Sequence, residues 1–595
     1  MPDVSRRGFI RAGLFGLGGI YVTSALTGCG SDSDDNELGM GRFAHGVASG
    51  DPLADSVILW TRVTPADTSA ESVRVSWEVS ENAAFRQIIA EGSGDAHLSR
   101  DFTIKVDVRG LSPDTHYYYR FRTANSASAT GRTRTLPDHT SERLRLAVLS
   151  CSNYPAGFFH VYNHLASQDV DLVLHLGDYI YEYGRDGYAS QMAEQLGRVS
   201  QPAHEILTLD DYRTRYAQYR SDPDLQAAHA SAPFLVVWDD HEIANDTYDG
   251  GAENHNDGEG DFAERKLAAL RAYFEWLPIR PETTGDSDSL AMPSSIYRQF
   301  EWGSLVNLLM LDTRNEARAK PLVVTDYFDA QTGAFDFPGL FGAINDPTRE
   351  LLGARQRDWL SAAIGTSSAT WQILGQQVLM GRMYLPFAIA TQQLSIPDYA
   401  ELGALALLAG RAQQNDPTLT TQELAYLQAN QSRLTPAVMA LLQAPNIPYN
   451  LDAWDGYGHA REQVLSMARE ANARLVVLAG DTHNAWANEL ADADGHPVGV
   501  EFATSSVSSP GLEEYLGVPE AAYAQTEAGI VNLVAGLKYL NAGDRGLLTL
   551  DITHERILAE WAFVSSVQEA SYTLLTERAK RLAVQAQTST VLVEP

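Results

Sequence analysis

The sequence predicts an α/β protein, a layered β-sheet core with helices, preceded by a small β-sandwich. From residue 144 onward, mainly apolar runs of strand length recur at 146–150, 172–176, 234–238, 306–312, 371–376 and 475–479. Runs that are mainly apolar, rather than alternating, belong to strands covered on both faces. Helical patterns lie between several of them, at 159–168, 262–276 and 459–473. Before residue 137 the texture differs: short strand patterns at 57–62, 73–79 and 102–108 are punctuated by Gly, Pro and Asp.

With 595 residues the chain exceeds one ordinary core, so at least two domains are expected. The first is 40–137. Its segment Gly110-Leu111-Ser112-Pro113-Asp114-Thr115-His116-Tyr117 resembles the corner of a fibronectin III or immunoglobulin-like sandwich, where a tyrosine bonds backbone upstream. Tyr117 is assigned that structural role. The second domain is 144–565, with an Ala/Leu/Gln-rich helical insertion at about 386–444 expected to cap the core near the site. A strand pair at 546–553 and 556–563 is expected at a sheet edge. The C-terminal tail, 566–595, is expected to be a helix and then loose chain. No internal repeat is present.

The first 29 residues read as an export signal. Ser5-Arg6-Arg7-Gly8-Phe9-Ile10-Arg11 has the twin-arginine form and is followed by an apolar stretch, 14–26, too short to span a bilayer. Leu26-Thr27-Gly28-Cys29 resembles a lipoprotein box, so Cys29 is a candidate lipid anchor and residues 30–39 an acidic tether. The expected partner at this end is the twin-arginine export machinery, and the expected location is the periplasm or cell surface. Cys29 and Cys151 are the only cysteines, so loss or lipidation of Cys29 leaves Cys151 a lone thiol. The formal net charge of −32 argues against a nucleic-acid partner, which needs a basic surface.

Function in open α/β sheets collects beyond the carboxyl ends of the strands. Four such ends here carry metal-competent residues. The first leads to Cys151 and Asn153, the second to Asp178 with Tyr181, the third to Asp239, Asp240 and His241 with Asn245 behind, and a late one to Asp481 and His483. A single Gly-Asp after a strand is commonly a turn, and a single buried Cys is commonly a small hydrophobe. Their coincidence at one edge is different, because carboxylates, a thiol, a phenol and imidazoles are costly to bury together without a cation. The 246–261 run of Asp, Asn, Gly and Glu does not have EF-hand spacing and reads as a flexible acidic loop near the site.

The pattern Gly177-Asp178-x-x-Tyr181, then Trp238-Asp239-Asp240-His241-Glu242, then Gly480-Asp481-x-His483 resembles the metallophosphoesterase superfamily and, more narrowly, the alkaline phosphatase D family. The lead-in His45–Pro52, Leu59–Arg62 and Asn450–Tyr457 extend the resemblance over nearly the whole mature chain. It implies a metallophosphoesterase-like layered sheet holding Fe³⁺ beside one or more Ca²⁺ ions. The matching iron ligands are Cys151, Asp178, Tyr181 and His483. The second metal would share Asp178 and take Asp481 with either Asp240 or Asn245. It implies an exported, metal-dependent phosphoesterase acting on phosphomonoesters, phosphodiesters or both through metal-activated hydroxide. His241 would hold phosphate or protonate the leaving oxygen, or alternatively orient Asp240, and Asn153 is a candidate phosphate contact. No arginine lies between Arg474 and Arg545 to grip phosphate, which leaves Arg382 as a stand-in and keeps diesters among the expected substrates. The alternatives are a phospholipase D-like activity at the same metals and a non-catalytic surface lipoprotein.

Overall fold

The computed structural model describes residues 37–283, 290–291 and 295–595. The export signal, Cys29 and most of the tether lie outside the described residues.

Two large sheets lie face to face. The first contains β1 (Val47–Gly50), β2 (Ser56–Arg62), β5 (Thr103–Arg109), β8 (Leu144–Leu149), β9 (Leu172–His175), β10 (Phe234–Val236), β18 (Arg545–Ile552), β19 (Arg556–Val564), β20 (Lys580–Gln585) and β21 (Leu592–Val593). Their order is β21-β20-β19-β18-β8-β9-β10-β1-β2-β5, with β8, β9, β10 and β1 parallel. The second contains β11 (Arg298–Trp302), β12 (Val306–Met310), β13 (Trp371–Gly375), β14 (Leu475–Ala479), β15 (Ala485–Ala491), β16 (Pro497–Ala503) and β17 (Leu537–Asn541). Its order is β11-β12-β13-β14-β16-β15-β17, with β12, β13, β14 and β16 parallel. One core is shared: Val148, Leu174 and Leu235 of the first sheet pack with Leu308, Ile373, Val476 and Phe502 of the second. On the outer face of the second sheet, Leu309, Leu374 and Val477 pack against Leu360 of helix Gly353–Thr366 and Val464 of helix Gly458–Glu470. Both faces of the central strands are therefore buried, which is why the sequence shows continuous apolar runs there.

At the site edge the sheets are stitched by cross-sheet bonds. Thr504 Oγ1 donates to Val148 O at 3.0 Å, Val507 N to Ser150 O at 3.0 Å, and Gln377 Nε2 to Trp238 O at 2.7 Å. The carboxyl ends of the parallel strands of both sheets are thereby held together.

The N-terminal sandwich is present but is not a detached unit. Its second face is β3 (Ser72–Ser80), β4 (Ile88–His97), β6 (His116–Arg122) and β7 (Gly131–Arg134), in the order β4-β3-β6-β7. Its other face is β1, β2 and β5, the end of the ten-stranded sheet. Val57, Leu59, Val75, Trp77 and Phe121 fill the space between. The Tyr117 hydroxyl accepts the Ser112 N–H at 2.9 Å, as the corner motif requires. Tyr117→Phe is expected to cost about 1–2 kcal/mol by leaving that N–H unpaired, read as a lower urea midpoint with unchanged catalytic constants.

Two expectations are corrected at the C-terminus. β18 and β19 are interior strands, because β18 pairs with β8 and β20 covers β19. The tail is not helical from 565. Leu582, Ala583 and Val584 are buried in β20, and Arg581 forms a two-point pair with Glu560 on β19. A waiting sheet edge decides the conformation of a segment whose Ala, Glu and Arg content alone favours a helix.

The 386–444 insertion is helical, with Ile396–Gln413, Thr421–Asn430 and Pro436–Gln443 started by caps from Ser395, Thr420 and Thr435. It joins the body through an aromatic cluster of Phe328, Phe335, Phe337 and Phe387, and through Ile396 against Gly529 of helix Tyr523–Leu533.

Buried His175 on β9 gives the fold an acid limit. Burial pushes its pKa from 6.5 down to about 3, and among the described residues only the Tyr162 hydroxyl, 2.8 Å from Nε2, is its hydrogen-bond partner. Because the folded value lies below the unfolded one, the neutral form's contribution is complete above pH 6.5 and is lost as pH falls below it. The expected loss is about 1.4 kcal/mol per pH unit, about 2 kcal/mol by pH 5. Urea unfolding at pH 7 and pH 5 measures it, and His175→Gln should flatten that slope.

Candidate metal centre

Four of the strand-end residues share an uncommon backbone. Cys151, Asp178, Asp481 and His483 have φ of 61°, 53°, 64° and 64°, the left-handed region that L side chains rarely adopt. Such strain persists where surrounding contacts over-determine it, and it clusters at functional sites. Here the surroundings are specific. Cys151 N donates to Gly177 O at 3.2 Å, and Ser152 N to Asp178 O at 2.9 Å. The buried Glu242 carboxylate accepts the N–H groups of Asp178, Tyr179 and Asp239, at 3.1, 2.5 and 2.6 Å. Gly177, at φ 106°, admits no side chain, since a Cβ there would lie 2.3 Å from that of Asp239.

Three groups of ligand atoms result, each with all members within 4.8 Å of one another: Cys151, Asp178 and His483; Asp178, Asp240 and His241; and Asp239, Asp240 and Asp481. Asp178 joins the first to the second, and Asp240 the second to the third. The Tyr181 hydroxyl completes the first group, 3.0 Å from Asp178 Oδ2 and 3.1 Å from His483 Nε2, and accepts from Ser509 Oγ at 2.7 Å. His483 Nδ1 lies 2.6 Å from Pro510 O, so the N–H sits there and Nε2 offers its lone pair to the cluster.

The donors fit cations. Burial and the Asp178 charge push the Cys151 thiol and the Tyr181 phenol well above their usual ranges, and burial raises Asp239 and Asp481 against the pull of Arg314. Asp178 Oδ1 and Asp239 Oδ2 are buried without a hydrogen-bond partner. A cation supplies what these atoms lack and reverses the proton affinity of thiol and phenol.

Asp240 and Asn245 make different contacts. Asp240 belongs to two groups, accepting its own neighbour's His241 N–H at 2.9 Å and the Asp246 N–H at 2.6 Å. The Asn245 side chain instead donates to Glu253 at 3.1 Å, and its backbone N–H goes to Glu182. Asn153 lies beside the cluster, with Oδ1 buried and unpartnered and Nδ2 3.4 Å from Tyr188 O. Arg382 is held by Glu462 at 2.9 Å.

Sequence reasoning missed three residues. Arg314, fully buried, contacts Asp239, Asp452 at 2.6 Å and Asp481 at 3.0 Å, and lies 3.8 Å from Asp240. It follows β12 by four residues, so the strand-end rule that found the ligands also reaches it. Glu182, inside the Gly177–Gly184 motif, holds His241 Nδ1 at 2.7 Å and accepts from Asn245 N and Asn254 Nδ2, both at 2.8 Å. Burial disfavours charge on His241, yet Glu182 and Asp240 outweigh it and hold its pKa well above the usual value. Tyr188 stacks over His483 and donates to Pro510 O at 3.1 Å. The acidic loop does lie beside the site, but it is pinned: Asn254 reaches Glu182, and Asp249 N donates to Arg318 O at 3.0 Å.

The family profile of the PhoD-like phosphatases matches residues 146–561, and that of their N-terminal domain matches 28–137. The chain belongs to the PhoD-like phosphatase family. It is similar to alkaline phosphatase D of Bacillus subtilis (strain 168), with 33% identity over 482 residues covering 79% of this chain and 70% of that one. A solved structure described as that of PhoD superposes with a TM-score of 0.70 at 29% identity, covering 95% of this chain and 93% of the other. As a PhoD-like phosphatase the chain is a phosphate-ester hydrolase, and its metal-competent groups lie inside the matched catalytic region.

Proposed function

We propose that this PhoD-like phosphatase hydrolyses phosphomonoesters, phosphodiesters or both at a centre of Fe³⁺ and at least one Ca²⁺. The observation that carries this reading is the position of Asp178, shared between a thiol–phenol–imidazole group and a carboxylate group. Cys151, Tyr181 and His483 with Asp178 form a donor set suited to iron, while Asp178, Asp240 and Asp481 offer the oxygens that calcium takes. Such cations, when bound, polarise phosphoryl oxygens and make a hydroxide nucleophile available near neutral pH.

The chain's own groups do the rest. His241, oriented by Glu182 on Nδ1, offers Nε2 to a phosphoryl or leaving-group oxygen. Arg314 holds Asp239 and Asp481 in place and balances part of their charge. Pro510 O fixes the tautomer of His483. Asn153 offers an amide beside Cys151 for a phosphoryl oxygen.

Elemental analysis of the purified full chain, paired with rates on 4-nitrophenyl phosphate and bis(4-nitrophenyl) phosphate, tests the reading. Iron and calcium are expected, with activity removed by a chelator and restored by the two ions. Zinc alone, or chelator-resistant turnover, sinks the assignment.

A further inference from the structure

A cavity of about 590 Å³ borders the metal centre through Pro510, whose carbonyl holds His483, and none of the candidate ligands lines it. Its wall is built by continuations of the segments that position the ligands. Cys151 and Asn153 lead into Ala156. Tyr188, stacked on His483, leads into Ala189, Gln191 and Met192. Ser509 and Pro510, which bond Tyr181 and His483, lead into Glu513, Glu514 and Val518. The shared wall is tied tightly: Ser508 Oγ donates to Asn153 O at 2.8 Å, and Ser508 N lies 3.4 Å from Cys151 O. The Tyr188 hydroxyl lies 3.3 Å from His483 Nδ1 and 3.1 Å from the carbonyl of Pro510, which lines the cavity. The volume falls in the range of small organic ligands.

The lining is half apolar, with Met192, Val518, Pro519 and Val567 alongside Gln191 and Gln568. Its charges are one arginine and two carboxylates. Arg545 is already committed, with NH2 on Glu513 at 2.5 Å and NH1 on Gly543 O. That leaves Glu514 as the carboxylate not offset by a lining cation. Such a surface favours an apolar body with neutral polar or cationic ends, and it repels a second anionic group.

We propose that this cavity is the subsite for the second, non-leaving alcohol of a phosphodiester, and that it selects diesters of neutral or cationic alcohols over diesters of anionic ones. The proposal rests on the phosphoesterase reading above. The phosphoryl group lies at the metal centre, and the organic group extends past Tyr188 into the cavity.

The test uses the metal-loaded full chain and three esters releasing 4-nitrophenol: 4-nitrophenyl phosphorylcholine, 4-nitrophenyl 2-carboxyethyl phosphate and 4-nitrophenyl phosphate. Native enzyme should favour the choline ester over the carboxyethyl ester by at least about tenfold in kcat/KM. Glu514→Lys should reverse or erase that ratio, leaving 4-nitrophenyl phosphate, which has no second alcohol, within about twofold. Met192→Trp, which fills the cavity, should raise KM for both diesters and spare the monoester. A native ratio near one, a ratio unmoved by Glu514→Lys, or diester KM values unmoved by Met192→Trp overturns the subsite. Absence of turnover on all three esters overturns the phosphoesterase reading instead, so the two failures are distinguishable.

Discussion

Asp178→Asn should lower kcat/KM by at least about a thousandfold, roughly 4 kcal/mol of transition-state stabilisation. The asparagine keeps the shape and tolerates the left-handed backbone at φ 53°. What it removes is the charge common to the thiol–imidazole group and the carboxylate group. Both cations should therefore be weakened together, which a substitution in only one group would not do. The effect on folding should run the other way. Asp178 Oδ1 is buried without a partner, and its charge opposes those of Asp239 and Asp481. In chelator-treated protein a neutral amide relieves that repulsion, so the melting temperature should hold or rise. Loss of activity together with loss of stability in the metal-free protein would show instead that Asp178 is a structural carboxylate.

The candidate ligand positions are legible because strand ends are local features. A mainly apolar run followed by Cys151, Gly177-Asp178 or Gly480-Asp481 carries its own signal. Two kinds of information were not local. The first is partnership across long sequence separation: nothing near Glu182 announces that it will hold His241, and nothing near Arg314 announces Asp239, Asp452 and Asp481. The second is sheet membership. β1 joins β10 through a pairing of Gly50 with Phe234, so the N-terminal sandwich shares the ten-stranded sheet, and β20 becomes a strand because β19 offers an open edge. Asp240 and Asn245, both oxygen donors in the sequence, differ in their contacts: the Asp246 N–H donates to Asp240, and the Asn245 amide nitrogen donates to Glu253.

Cys151→Ser should distinguish an iron-containing centre from a generic two-metal one. A serine hydroxyl is a far harder and less acidic donor than a thiol, so iron binding should fall while the Asp240 and Asp481 oxygens keep calcium. The expected result is iron occupancy reduced at least about tenfold, loss or shift of any visible absorption arising from thiolate and phenolate donation to Fe³⁺, and kcat lowered by about a hundredfold or more with calcium content near native. Geometry favours this reading over a packing role. Cys151 is buried, but its sulfur lies in a group with Asp178 and His483, and among the described residues its hydrogen-bond partner is the neighbouring Ser150 hydroxyl at 3.2 Å. A merely space-filling cysteine would tolerate serine at a cost of about 1–2 kcal/mol in stability with metal content intact. Tyr181→Phe makes the complementary test, since it deletes the phenol 3.0 Å from Asp178 while preserving the ring against His241. If both variants retain iron and colour, the soft donors are bystanders, and the centre is held by Asp178, Asp240, Asp481 and His483 alone.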